Sequence, residues 1–146
     1  MGEPGEYRFL EHDADVGVAI RADDLESIWR LGARALCEVM TDPAAIRPLA
    51  ELALEGSGPD LAAAWIESLG ELLCRFEVDG LLLPHVDQVA VRQEGGEVRV
   101  TFRARGEPYD AARHPARAAV KAVTHHDAVL ERAQGGGWRA RALFDL

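Results

Sequence analysis

The chain has 146 residues, 48% of them hydrophobic, which places it with single-domain globular proteins and excludes a disordered chain. Its formal charge of −9 argues against a protein that grips nucleic acid unaided and suits one that binds a cation or a basic partner. No apolar run approaches the ~18 residues that span a membrane. The opening MGEPGEYRF lacks the basic start and apolar stretch of a signal peptide, so a cytoplasmic protein without membrane contact is expected.

Residues 7–12 and 16–21 alternate in polarity and read as one strand or two short ones. Val16, Val18 and Ile20 form the apolar side, and Glu11, His12, Asp13 and Asp15 crowd the approach to it. Asp23 offers a helix N-cap with Glu26 three residues on, the spacing of a capping box. The helix that follows aligns Leu25, Ile28, Gly32, Ala35, Leu36, Val39 and Met40, and Thr41-Asp42-Pro43 ends it. A strand is expected from Leu49 to Glu55, with residues 55–58 as the turn out of it. A second helix opens at Gly58-Pro59 with Pro in its first turn. Its apolar stripe runs Leu61, Trp65, Ile66, Leu69, Leu72, Leu73 and Phe76, and Asp79-Gly80 closes it. Cys37 and Cys74 fall on the apolar sides of these helices and read as reduced core residues, since no ligand spacing joins them.

Beyond Gly80 the pattern is β. Residues 81–83 and 86–92 read as strands broken by Pro84, and Glu94-Gly95-Gly96-Glu97 as a hairpin turn. Val98, Val100, Phe102 and Ala104 alternate with Arg99, Thr101, Arg103 and Arg105. GEPYDAARHPA is a loop, residues 120–130 a strand, and Gly135-Gly136-Gly137 the turn into a last strand with Trp138, Ala140, Ala142 and Phe144 facing inward. The sum is an α+β domain over 1–146, with two amphipathic helices packed on a largely antiparallel sheet.

Phosphate-loop, dinucleotide, serine-elbow and zinc-protease motifs are absent. Three polar groupings remain. Asp13 and Asp15 share one side of an extended chain, ~7 Å apart, where each could give one oxygen to a hard cation or form loop hydrogen bonds. His125 and His126, adjacent in a strand, point to opposite faces, so at most one joins a site with His12 or His114. At the other end Asp145 lies on the polar side of the last strand. A cation held by Asp145, Leu146 and Asp15 would tie that end down, if the two strands are neighbours. Arg99, Arg103, Arg105, Arg139 and Arg141 would form a basic stripe suited to phosphate or an acidic partner if their strands pair; a solvated face is the alternative.

FLEHDADVGVAI, followed by ADDLESIWRLGARALCEVMTD, resembles the opening of the archease family, with its His-Thr-Ala-Asp segment before a helix ending in Met-Thr-Asp. The resemblance continues through AAWIESLGELLCRFEVDGLL, GEPYDAARHPARAAVKAVTHHDAVL and WRARALFDL. Asp13 stands where the family has Thr, and His125 where it commonly has Tyr. The resemblance implies an accessory protein and not a stand-alone enzyme. It implies a partner, the RtcB-type RNA ligase of tRNA splicing and RNA repair, whose guanylylation and repeated turnover it would promote. It also implies a divalent cation, calcium first and magnesium or manganese next, held by Asp15, Asp145 and Leu146. His12 and Asp13 would steady that site or touch the partner. A metal-dependent hydrolase using His12 and the carboxylates, or a chaperone or modulator of a tRNA-modifying enzyme, are the competing expectations.

Overall fold

The computed structural model describes residues 5–11 and 14–146. Among them run β1 (Gly5–Glu11), β2 (Asp15–Ala22), α1 (Leu25–Met40), a 3-10 turn (Pro43–Ala45), β3 (Ala50–Gly58), α2 (Leu61–Asp79), β4 (Leu81–Glu94), β5 (Glu97–Pro108), β6 (Ala122–Arg132) and β7 (Trp138–Asp145). The strands divide into two antiparallel sheets, one ordered β1-β2-β7-β6 and one ordered β3-β5-β4. Both helices touch both sheets: α1 lies against β4, β2 and β1, and α2 against β3 and β6. The expected α+β class holds, with its strands shared between two sheets.

One continuous core joins the layers, with Trp29, Trp65, Phe144, Ile20 and Ile28 fully buried. The helices approach where Gly32 faces Trp65; a Cβ on Gly32 would lie 3.0 Å from the indole Nε1. Gly56 is pressed harder, since a Cβ there would come within 2.3 Å of Ser68 Oγ. The segment 55–58, expected as a turn, is therefore still strand, held flat against α2.

Helix boundaries differ from the sequence reading by small, explicable shifts. Asp24, not Asp23, caps α1, accepting from the Ser27 N–H at 2.8 Å. Glu26 does not close a capping box; its carboxylate accepts from the Val89 N–H of β4. Asp60 caps α2 through the Ala63 N–H, which puts Pro59 before the helix and not in its first turn. Gly80 ends α2 in the left-handed conformation, φ 71°, where a side chain is disfavoured. Pro84 does not break β4, because register shifts between Leu82 and His85 absorb it.

The loop after β5 is the largest irregular feature and is pinned by a buried carboxylate. Glu107 is 3% exposed. It accepts from the Arg47 backbone N–H and Nε, from Arg113 Nη1 at 2.8 and 2.9 Å, and from His114 Nε2 at 3.0 Å. His114 Nδ1 accepts from the Asp110 N–H, which fixes the proton on Nε2. Farther along, Arg117 and Ala118 N–H groups bond to the Met40 and Val39 carbonyls, satisfying acceptors that the end of α1 leaves open. Cys37 is buried beside this junction, and burial pushes its thiol up to about 12.

Burial works against a charged Glu107, but the donors from Arg47, Arg113 and His114 outweigh it and hold the carboxyl well below the ordinary range. A depressed folded-state value gives stability that is present above the unfolded value and lost as pH falls. Urea midpoints of the wild type should therefore fall steeply below about pH 4.5. Glu107→Gln should be less stable at pH 7 and show a shallower acid loss; equal slopes for the two proteins would contradict this account of the loop.

Candidate metal centre

The site grows from the pairing of β2 with β7, the two central strands of the four-stranded sheet. Their register sets Val16, Val18 and Ile20 opposite Phe144, Ala142 and Ala140, and these side chains line the core. By alternation the opposite face carries Asp15, Gly17, Ala19 and Arg21 from β2, against Asp145, Leu143, Arg141 and Arg139. Asp15 and Asp145 are thus direct cross-strand partners, with Cβ atoms roughly 5 Å apart. The neighbour relation that the sequence left open is present.

Main-chain bonds hold this end of the sheet. The Leu146 N–H donates to the Ala14 carbonyl at 3.2 Å, and the Lys121 N–H to the Asp145 carbonyl at 2.7 Å. Leu146 therefore runs beside the start of β2. Asp15 is half-buried and its Oδ1 is screened from solvent, while the Asp145 side chain is exposed. Above the pair, Leu10 and Leu143 close over Gly17; a Cβ there would lie 3.2 Å from each.

Two carboxylates face to face, one with a solvent-screened oxygen, make an oxygen-only donor set. That chemistry fits calcium, magnesium or manganese and not zinc, which favours nitrogen and sulfur. Among the described residues no group of three or more His, Cys, Asp and Glu side chains gathers, so water or main chain would complete the shell. His12 and Asp13 lie outside the described residues.

Among the described residues, His114, His125 and His126 do not share a site. His114 is fully buried on Glu107, so it does not join a surface centre. His125 pairs with Glu67 of α2 at 2.8 Å, and His126 approaches Asp127 at 3.3 Å. They do not sit in regular strand: between Thr124 and Val129 the register with β7 shifts, and Asp127 takes a φ of 56°. The five-arginine stripe does not form either, because β5 and β7 belong to different sheets. The β5 arginines are neutralised locally, Arg99 by Glu55, Arg103 by Glu51, and Arg105 by Glu51 and Asp87.

A family model described as the Archease protein family (MTH1598/TM1083) matches residues 7–146. The chain is 38% identical to the protein archease of Methanopyrus kandleri over 137 residues, covering 94% of this chain and 96% of that one. It is 31% identical to the protein archease of Pyrococcus furiosus over 141 residues, covering 97% and 99%. Among solved structures, Protein 1598 of Methanobacterium thermoautotrophicum superposes with a TM-score of 0.79 at 28% identity, covering 96% of this chain and 98% of that one. A Thermotoga maritima archease, described as a "possible chaperone", shares the fold with a TM-score of 0.54 at 20% identity over 94% of each chain.

Like charges placed directly opposite on neighbouring strands repel. In chelator and low salt, Asp145→Asn should therefore raise stability, by up to about 1 kcal/mol, with the gain shrinking as salt is added. Urea denaturation of the two proteins in EDTA at 10 and 500 mM NaCl (roughly 30 and 4 Å screening lengths) measures it. A loss of stability under both conditions would mean that the two carboxylates do not oppose one another.

Proposed function

The chain belongs to the archease family, and we propose that it is a cation-binding accessory protein that activates an RtcB-type RNA ligase. In this reading it promotes guanylylation and repeated turnover of the ligase in tRNA splicing or RNA repair, and carries out no reaction of its own. The observation that carries it is the register of β2 with β7, which sets Asp15 against Asp145 beside Leu146. These are the three positions that the family resemblance marks for a cation.

The residues fit that role physically. Asp15 and Asp145 would each supply a carboxylate oxygen and Leu146 a main-chain oxygen, and calcium is the ion best matched to so loose an oxygen set. A bound divalent ion would neutralise the acidic pair and put a positive charge at the end of the sheet face. Leu10 and Leu143 would keep water from one side of it. The net charge of −9 favours encounter with a ligase whose RNA-handling surface is basic. No described helix is long and apolar enough to cross a membrane, and a cytoplasmic setting belongs to the proposal.

Two measurements test it. Calcium at a hundred times its dissociation constant should raise unfolding free energy by about 2.7 kcal/mol, and Asp15→Asn or Asp145→Asn should abolish the rise. The same organism's RtcB-type ligase should be guanylylated faster, and turn over repeatedly, when this protein is added. Asp15→Ala and Asp145→Ala should lose that stimulation with their circular dichroism spectra unchanged. Unaltered guanylylation and turnover with wild-type protein would reject the ligase reading, whatever the calcium result.

A further inference from the structure

The sheet face that carries the acidic pair also carries a groove of about 340 Å³ that the cation site does not use. Its residues fall into cross-strand rows fixed by the register. One row reads Glu6, Arg21, Arg139, Glu131 across β1, β2, β7 and β6. It is balanced in charge, and Arg139 Nε meets Glu131 at 2.7 Å. The adjacent row reads Arg8, Ala19, Arg141, Val129 and holds no acid. Arg8 and Arg141 thus stand on either side of a single small residue, their Cα atoms two strand spacings or roughly 10 Å apart.

The methyl of Ala19 leaves a hollow between two guanidinium groups. Leu10 and Val129 wall it, and Arg21 and Arg139 border it on the side away from Asp15. Arg141 is half-buried, and among the described residues its Nε is screened from solvent with no hydrogen-bond partner. A buried donor left so is costly until a ligand meets it. Arg99 Nε on β5 is screened in the same way, but there each of the three arginines has a carboxylate partner through another nitrogen or its own Nε. In a chain of net charge −9, leaving Arg8 and Arg141 together without an acid in their row stands out.

We propose that this groove binds a phosphate group, as pyrophosphate or as the phosphate end of a single-stranded nucleic acid, between Arg8 and Arg141 over Ala19. Planar guanidinium groups match phosphate oxygens in bidentate fashion, so two of them flanking an open hollow suit a compact tetrahedral anion. An acidic peptide would spread its carboxylates along the strands and meet Glu6 and Glu131. The acidic pair lies four residues along β2, ~13 Å away, so the groove does not need the cation. The inference is independent of the ligase reading.

Calorimetric titration of the full chain, in chelator, tests it with four probes. These are pyrophosphate, a five-nucleotide RNA with a terminal phosphate, the same RNA without it, and hexaglutamate. Saturable binding of pyrophosphate is expected, weakened roughly tenfold or more by Arg8→Gln and by Arg141→Gln, and unchanged by Arg103→Gln. Arg8 is exposed, so its variant keeps the test sound if Arg141→Gln fails to fold. Binding of only the phosphate-ended RNA, lost in the same variants, also supports the groove and names its source. Binding of neither phosphate probe, equal binding by Arg8→Gln, or tighter binding of hexaglutamate would overturn it.

Discussion

The pairing of β2 with β7 governs this molecule. Because side chains alternate with period two, one register decides both faces of the sheet at once. Val18 and Ile20 enter the core opposite Ala142 and Ala140, and the same alignment forces Asp15 to face Asp145. A slip of one residue would turn the acids inward and the core residues outward, which the packing against α1 forbids. The placement of the acidic pair is thus protected by the burial of residues that have no chemistry of their own. Gly17 eases the arrangement, since a Cβ there would lie a tight 3.2 Å from both Leu10 and Leu143.

The second constraint is the loop between β5 and β6. Glu107 draws Arg47, Arg113 and His114 onto one buried carboxylate, so the loop leaves β5 along a fixed path. That path delivers Arg117 and Ala118 to the open carbonyls of α1 and Lys121 to the carbonyl of Asp145. A chain of polar contacts therefore runs from the three-stranded sheet to the acidic end of the four-stranded one. It joins the two halves of the fold where the apolar core does not reach the surface.

Elements with a strong period were legible from residues alone. Both helices, the 94–97 hairpin and the last strand follow from apolar spacing and glycine placement, and only caps moved. Asp24 took the α1 cap expected of Asp23, and Asp60 supplies for α2 a cap that the sequence reading does not name. Strand partners were not legible, since nothing in β5 or β7 says which sheet it joins. The arginine stripe was lost for that reason, and Arg8 was overlooked because its neighbours across Ala19 appear only with the register. His114 was misplaced because a buried and an exposed histidine look alike until the loop around them closes. Asp15, Asp145 and Leu146 came together as the alternation allowed, with the family resemblance choosing among the alternatives.

The order of the sheet has a consequence for synthesis. The three-stranded sheet and α2 come from one contiguous stretch, residues 50–108, and can assemble as that stretch leaves the ribosome. The four-stranded sheet takes two strands from each end of the chain, so β2 keeps an unsatisfied edge until β7 emerges. Asp15 and Asp145 lie 130 positions apart (145 − 15), a delay on the order of ten seconds at common elongation rates. Throughout that interval the β1–β2 hairpin is an open template for foreign strands. The acidic pair cannot come together until β7 has emerged and paired with β2.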